Sequence, residues 1–161
     1  MIVIVIMGVI YTLSVTSFNQ QKEINDSVTL KNLKTFLTDL EYEKSVKLLC
    51  LDECESCDIF IDGEKDSTLE GLLDSSVKVY RYDYYLGLQE IMKDVYFNKE
   101  NRQENVCFSY KIDKKGVGDQ VLVEYREKVY DFSTYLSGTQ VYNSTEDAVD
   151  AKAKLIEEVA R

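Results

Sequence analysis

Residues 106–113 read Val-Cys-Phe-Ser-Tyr-Lys-Ile-Asp. Val106, Phe108, Tyr110 and Ile112 fall at period two, with Cys107, Ser109, Lys111 and Asp113 on the alternate positions. Successive side chains of a strand point to opposite faces, so this stretch predicts a strand with one apolar and one polar side. Working outward, Lys114–Asp119 carries Gly116 and Gly118 and predicts a turn. Val121, Val123 and Tyr125 alternate again, Arg126–Lys128 turn the chain, and Val129–Phe132 return. The expectation is a three-stranded antiparallel meander whose apolar face must be covered.

Beyond the meander, Ser144 is a candidate N-cap with Asp147 three residues on. Ala148, Lys152, Leu155, Ile156 and Val159 then mark one face of a C-terminal helix. Toward the N-terminus, Val77–Tyr82 alternates as a strand, and Asp62-Gly63 is a turn dipeptide. Val46–Leu51 and Asp58–Ile61 flank a cysteine-bearing loop. Ser67–Ser76 reads as loop with one short helical turn, Tyr84–Val95 is ambiguous, and Asn98–Asn105 reads as a polar loop. Further back, Ile24, Val28, Leu33, Phe36, Leu37 and Leu40 fall near helical spacing, opposite Lys31, Asn32, Lys34, Thr35 and Asp39. They predict an amphipathic helix over residues 26–42.

Met1–Phe18, MIVIVIMGVIYTLSVTSF, holds no charge, and the first basic residue is Lys22. Eighteen residues of helix span about 27 Å, close to the roughly 30 Å of a bilayer core. A secretory signal peptide needs a basic start and a small-residue cleavage site, and neither is present. A buried soluble helix would show a polar face, and Ile2–Met7 shows none. The expectation is a membrane-inserted or filament-buried helix over residues 1–18. It leads into the amphipathic segment, so that residues 1–42 form an N-terminal helix and residues 43–161 a β-rich globular domain.

Composition narrows the chemistry. The 161 residues carry a formal net charge of −10, with no His, Pro or Trp. An acidic surface repels phosphate backbones, and the densest basic group is only Lys111, Lys114 and Lys115, so no direct nucleic-acid binding is expected. Without His the commonest general base and metal ligand is gone. No phosphate-binding or nucleophile-elbow motif is present, and Gly116-Val117-Gly118 lacks a third glycine. Neither an enzyme nor a cofactor is expected. Asp58, Asp62, Glu64 and Asp66 surround Gly63 but lack the order of a calcium loop, so exposed strand carboxylates are the simpler reading. The many tyrosines, among them Tyr80, Tyr82, Tyr84, Tyr85, Tyr110 and Tyr125, suit half-buried strands and subunit contacts better than stacking on nucleic acid.

The cysteines are Cys50, Cys54, Cys57 and Cys107, and four thiols allow three complete pairings. Redox catalysis would need a βαβ setting, and Asp52, Glu53, Glu55 and Asp58 would raise a nearby thiol pKa. A Cys₄ zinc site would lack its second C-x-x-C, and four free buried thiols would fit a reducing compartment. Export would favour disulfides. On that reading Cys54–Cys57 closes a tight loop and Cys50–Cys107 ties the first hairpin to the meander.

The run Ile2, Val3, Ile4, Val5, Ile6, Met7, Gly8, Val9, Ile10 resembles the N-terminal helix of type IV pilins and of the pseudopilins of type II secretion and DNA-uptake machines. Gly8 matches the glycine that breaks the family's apolar run, where it would allow close helix contact or a local bend. In that register the leader, cleavage site, N-methylated residue and Phe-Thr-Leu-x-Glu stretch fall before Met1. About six restored residues would give a span of about 24, an ordinary membrane length. The resemblance implies an α+β fold, a long N-terminal helix packed on an antiparallel sheet with a short C-terminal helix. It implies a minor structural subunit of a pseudopilus, with other pseudopilins, an inner-membrane assembly platform and a prepilin peptidase as partners. The location implied is the inner membrane of a Gram-negative bacterium, single pass, with the domain in the periplasm. The rival reading is a single-pass, membrane-anchored periplasmic binding protein.

Overall fold

Val46, Leu48 and Cys50 share one face of β1 (Ser45–Leu51), and all three are fully buried. β1 is the central strand of a five-stranded antiparallel sheet in the computed structural model, which describes residues 27–92, 95–98, 100–134 and 138–159. The strand order is β3 (Glu64–Glu70), β2 (Ser56–Ile61), β1, β7 (Gln103–Asp113), β6 (Val95–Phe97). A second five-stranded antiparallel sheet runs β10 (Gln140–Tyr142), β9 (Lys128–Asp131), β8 (Leu122–Tyr125), β4 (Lys78–Asp83), β5 (Gly87–Glu90). The inward face of β1 packs with Ile59, Phe108, Tyr110 and Ile112 of its own sheet and with Val79, Val123, Tyr125 and Tyr130 of the other. Helix α1 (Leu33–Thr38) adds Leu33 and Leu37 to this core. Helix α2 (Thr145–Val159) covers the far face of the second sheet, where Ala148 packs with Leu122 and Val129.

The expected α+β fold, a long N-terminal helix packed on one sheet, is therefore corrected. The described chain is mostly β, with two sheets and helices of six and fifteen residues. Residues 1–26 of the expected helix, including Ile2–Ile10, lie outside the described residues. In the remainder, the amphipathic segment shortens to Leu33–Thr38 for a local reason. Asn32 Oδ1 accepts the Thr29 N–H at 2.6 Å, and Asn32 Nδ2 donates to the Ser27 carbonyl at 2.8 Å. Such side-chain bonds offer the backbone an alternative to helix. Val28 and Leu30 are still buried, but from a turn rather than from a helix face. The inner-membrane, periplasm-facing assignment is corrected too: among the described residues no helix is long and apolar enough to cross a membrane.

The meander is also redrawn. β8 and β9 pair as read, but β7 belongs to the opposite sheet, and the chain crosses between layers after Asp113. Apolar faces of β7 and of the second-sheet region meet across the core, with the Tyr110 and Phe132 rings 4.8 Å apart. The crossing is tight. Gly118 bridges to Ile112, and a Cβ on Gly118 would lie 2.7 Å from Cζ of the fully buried Tyr110. Gly118→Ala is expected to lower stability by about 1–3 kcal/mol through overpacking. The check is a lower urea midpoint with an unchanged slope.

Candidate functional site

The cysteines show how the first sheet is held. In the β1–β2 ladder Cys50 lies directly opposite Cys57, with Cα atoms 4.0 Å apart, and the two form a disulfide. Cys54 pairs with Cys107 across a Cα separation of 5.8 Å. The expected pairings, Cys54–Cys57 and Cys50–Cys107, are thus replaced by the third possible set. Two backbone features cause this. Asp52 and Cys54 adopt positive φ (51° and 65°), and the tightened turn carries Cys54 to a fully buried position. On β7, the register shifts by one so that Leu51 faces Val106 and Cys50 faces Phe108. A bulge of this kind leaves one extra residue on one strand. Here it is Cys107, which turns into the core beside Phe108 instead of keeping to the polar face. All four cysteines are joined in these two disulfides.

Several carboxylates hold turns and strands in place. Asp62 opens the β2–β3 turn with φ 54° before Gly63 at 95°, as a two-residue hairpin of the Asp-Gly type requires. Its carboxylate accepts N–H bonds from Glu43, Lys44 and Ser45 at 2.7–3.0 Å, and these hold its pKa below the ordinary carboxylate value. Asp58 accepts from Thr68 Oγ1 and pairs with Lys65 at 2.8 Å. Asp62 and Asp58 thus serve as turn and strand partners, and no group of three or more His, Cys, Asp or Glu among the described residues could hold a metal ion. Tyr80 donates to Glu124 at 2.8 Å; burial first, and then that carboxylate, push its phenol up to about 12. Burial likewise raises Tyr110, so neither phenol is an acid or base near neutral pH.

At the tip of the β4–β5 hairpin the fold presents apolar and aromatic side chains to solvent. The β4–β5 hairpin ends in Tyr84, Tyr85 and Leu86, which are 63%, 88% and 71% exposed. The tip is fixed from below: Asp83 Oδ1 accepts the Tyr85 and Leu86 N–H groups at 2.8 and 2.9 Å, and Gly87 supplies φ 72°. The two tyrosine rings contact edge-on at 5.0 Å. At the other end of β5, Met92, Val95 and Phe97 are also exposed. A cleft of about 510 Å³ lies between the sheets beside them, lined by Val79, Arg81, Ile91, Phe108 and Val121. Sequence reading noted the tyrosines as a class but did not single out this tip. Three adjacent large apolar residues between an Asx-type acceptor and a glycine, Asp83-Tyr-Tyr-Leu-Gly87, are the signal that could have found it.

No family model, curated protein or solved structure matches this chain.

Proposed function

We propose that this chain is a structural subunit that works by contact with other proteins and performs no chemistry of its own. The exposed Tyr84-Tyr85-Leu86 tip carries the reading. Large apolar side chains exposed together mark contact surfaces, and tyrosine is enriched at the centres of protein interfaces. A tip already ordered by Asp83 loses little freedom on binding, which favours contact. The two buried disulfides add rigidity and fit folding under oxidising conditions. Replacing Tyr84, Tyr85 and Leu86 together with serine tests the reading. Thermal stability is expected to stay within about 1 kcal/mol of the parent, as for other exposed positions, while complexes recovered from the source cells by chemical cross-linking are lost. Unchanged complexes would remove the tip from the function.

A more specific form is a minor pseudopilin of a type II secretion or DNA-uptake filament. It rests on the resemblance of Ile2–Ile10 alone. The genomic sequence in frame upstream of Met1 decides it. A basic leader, a cleavage site and a Phe-Thr-Leu-x-Glu stretch running into Ile2 would support it, and any other reading frame content would remove it.

A further inference from the structure

We propose that the globular domain binds a second copy of itself head to tail, the acidic β1–β2 turn of one copy entering a lysine-lined groove on the outer face of the first sheet of the next. The proposal rests on the reading of the chain as a subunit that works by protein contact, and it names one partner.

The groove lies on the face of the first sheet turned away from the core. Leu49 forms its floor, Phe60 and Tyr96 its walls, and Lys47 and Lys111 its rim, around a hollow of about 240 Å³. The β1–β7 register sets Lys47 directly opposite Lys111, and the β1–β2 register sets Phe60 beside Lys47. Like charges facing each other across a strand pair are unfavourable. Neither ammonium is relieved by an ion pair among the described residues. Leu49 is only 2% exposed although it faces outward, so the hollow has a desolvated apolar base beneath two cations, of which Lys111 also feels the Asp113 carboxylate two residues on. In a chain of net charge −10, two lysines face each other here across the β1–β7 pair, an arrangement that an anionic occupant relieves.

The complementary feature sits at the far end of the same strand. Asp52, Glu53 and Glu55 are exposed on the β1–β2 turn, and none forms an ion pair among the described residues. Between them Cys54 is buried and tied to Cys107, while Cys50–Cys57 closes the base of the turn. The carboxylates are thus displayed on a rigid knuckle, so little conformational freedom is lost on docking. Within one chain they cannot reach the lysines. Lys47 and Glu53 are six residues apart along an extended strand, about 20 Å at roughly 3.3 Å per residue. A second copy can supply what the first cannot. Because turn and groove are different surfaces, each copy keeps one of each free, and such heterologous contacts propagate into chains or rings. The net negative charge of both partners opposes the contact at long range, and at physiological salt this repulsion is screened beyond about 8 Å.

Sedimentation velocity of the full chain tests this at physiological ionic strength, in a mild non-ionic detergent that isolates the apolar first eighteen residues. The parent is expected to show concentration-dependent dimers and longer species. K47E/K111E and D52K/E53K/E55K are each expected to be monomeric alone, with both disulfides and the parent's circular dichroism intact. Mixed in equal amounts, they are expected to associate again and to alternate, because the acidic turn of one meets the intact groove of the other while the lysine-bearing turn meets the glutamate-bearing groove; only the mixed neutral variants stop at a 1:1 pair. The neutral variants K47Q/K111Q and D52N/E53Q/E55Q repeat the two losses with smaller perturbation. A parent that stays monomeric up to about 1 mM, the weak limit of specific affinity, overturns the proposal. So does association that survives in both variants, or variants that fail to pair when mixed. A monomeric parent that still forms cross-links through the Tyr84–Leu86 tip overturns this contact alone and leaves the broader reading standing.

Discussion

Replacing Cys54 and Cys107 together with alanine is expected to lower stability by roughly 4 kcal/mol, the loss of one crosslink spanning 53 residues in the chain-entropy account. Replacing Cys50 and Cys57 is expected to cost less, about 2.5 kcal/mol, because their loop spans only 7 residues. The order of the two effects carries the structural information. Had the pairs been Cys54–Cys57 and Cys50–Cys107, the double substitutions C54A/C57A and C50A/C107A would each remove one bond cleanly. In the present connectivity each of those breaks both bonds and leaves two orphaned thiols in the core. Guanidinium unfolding of the four double variants, read alongside non-reducing peptide maps, checks this. Cleavage after Glu53 and Glu55 separates Cys50, Cys54 and Cys57 onto three peptides, so the map is unambiguous. Peptides joining Cys54 to Cys57 would refute the turn geometry described above.

The second large effect is expected at the far face of the second sheet. Asp131 is 1% exposed, and its Oδ2 lies 2.6 Å from Lys152 Nζ, the side chain of Lys152 being 14% exposed. Asp131 Oδ1 accepts the Ser133 N–H and hydroxyl at 2.9 and 2.6 Å, and Lys152 also donates to the Ser133 hydroxyl. This is the anchor that seats α2 on β9. Removing Lys152 leaves the buried carboxylate with only the more distant Lys34 as counter-charge, and breaking such buried pairs costs about 3–5 kcal/mol. Lys152→Met is expected to fall in that range, measured by urea unfolding. Asp131→Asn combined with Lys152→Met is expected to recover a substantial part, because no charge remains buried and the asparagine oxygen can still accept from Ser133. A double variant as unstable as Lys152→Met alone would show that packing of α2, not the charge, dominates.

Much of the core was legible. β7 alternates apolar and polar residues over Val106–Asp113 because it puts one face into the core, and period-two burial writes itself into sequence, whereas β8 and β9 bury residues on both faces, between the core and α2. The C-terminal helix begins where read, and Ser144 Oγ accepts the Asp147 N–H at 3.1 Å as an N-cap. The edges were not legible. β3, Glu-Lys-Asp-Ser-Thr-Leu-Glu, was read partly as loop because six of its seven side chains are polar. An edge strand packs little and is kept charged to discourage unwanted pairing, so its sequence resembles a loop. The start of β7, Gln103–Asn105, was hidden in the same way beside β6. Lys152 was read as one residue of the helix face, yet its head is buried on Asp131, a partner outside its own helix. The disulfide pairing failed for a different reason. Spacing suggested Cys54–Cys57, but a one-residue bulge opposite Cys50 and two left-handed residues decide which thiols meet, and neither leaves a mark in the sequence pattern.

The contact role of the β4–β5 tip is tested most directly by site-specific photo-cross-linking in the source cells. A benzophenone side chain is placed singly at Tyr85 or Leu86 on the tip, and at Glu127 or Glu157, exposed positions on the β8–β9 turn and on α2, as controls. The account predicts discrete covalent adducts with one or a few proteins from Tyr85 and Leu86 and none from the controls. Adducts from the controls as readily as from the tip, or none from the tip, would contradict it.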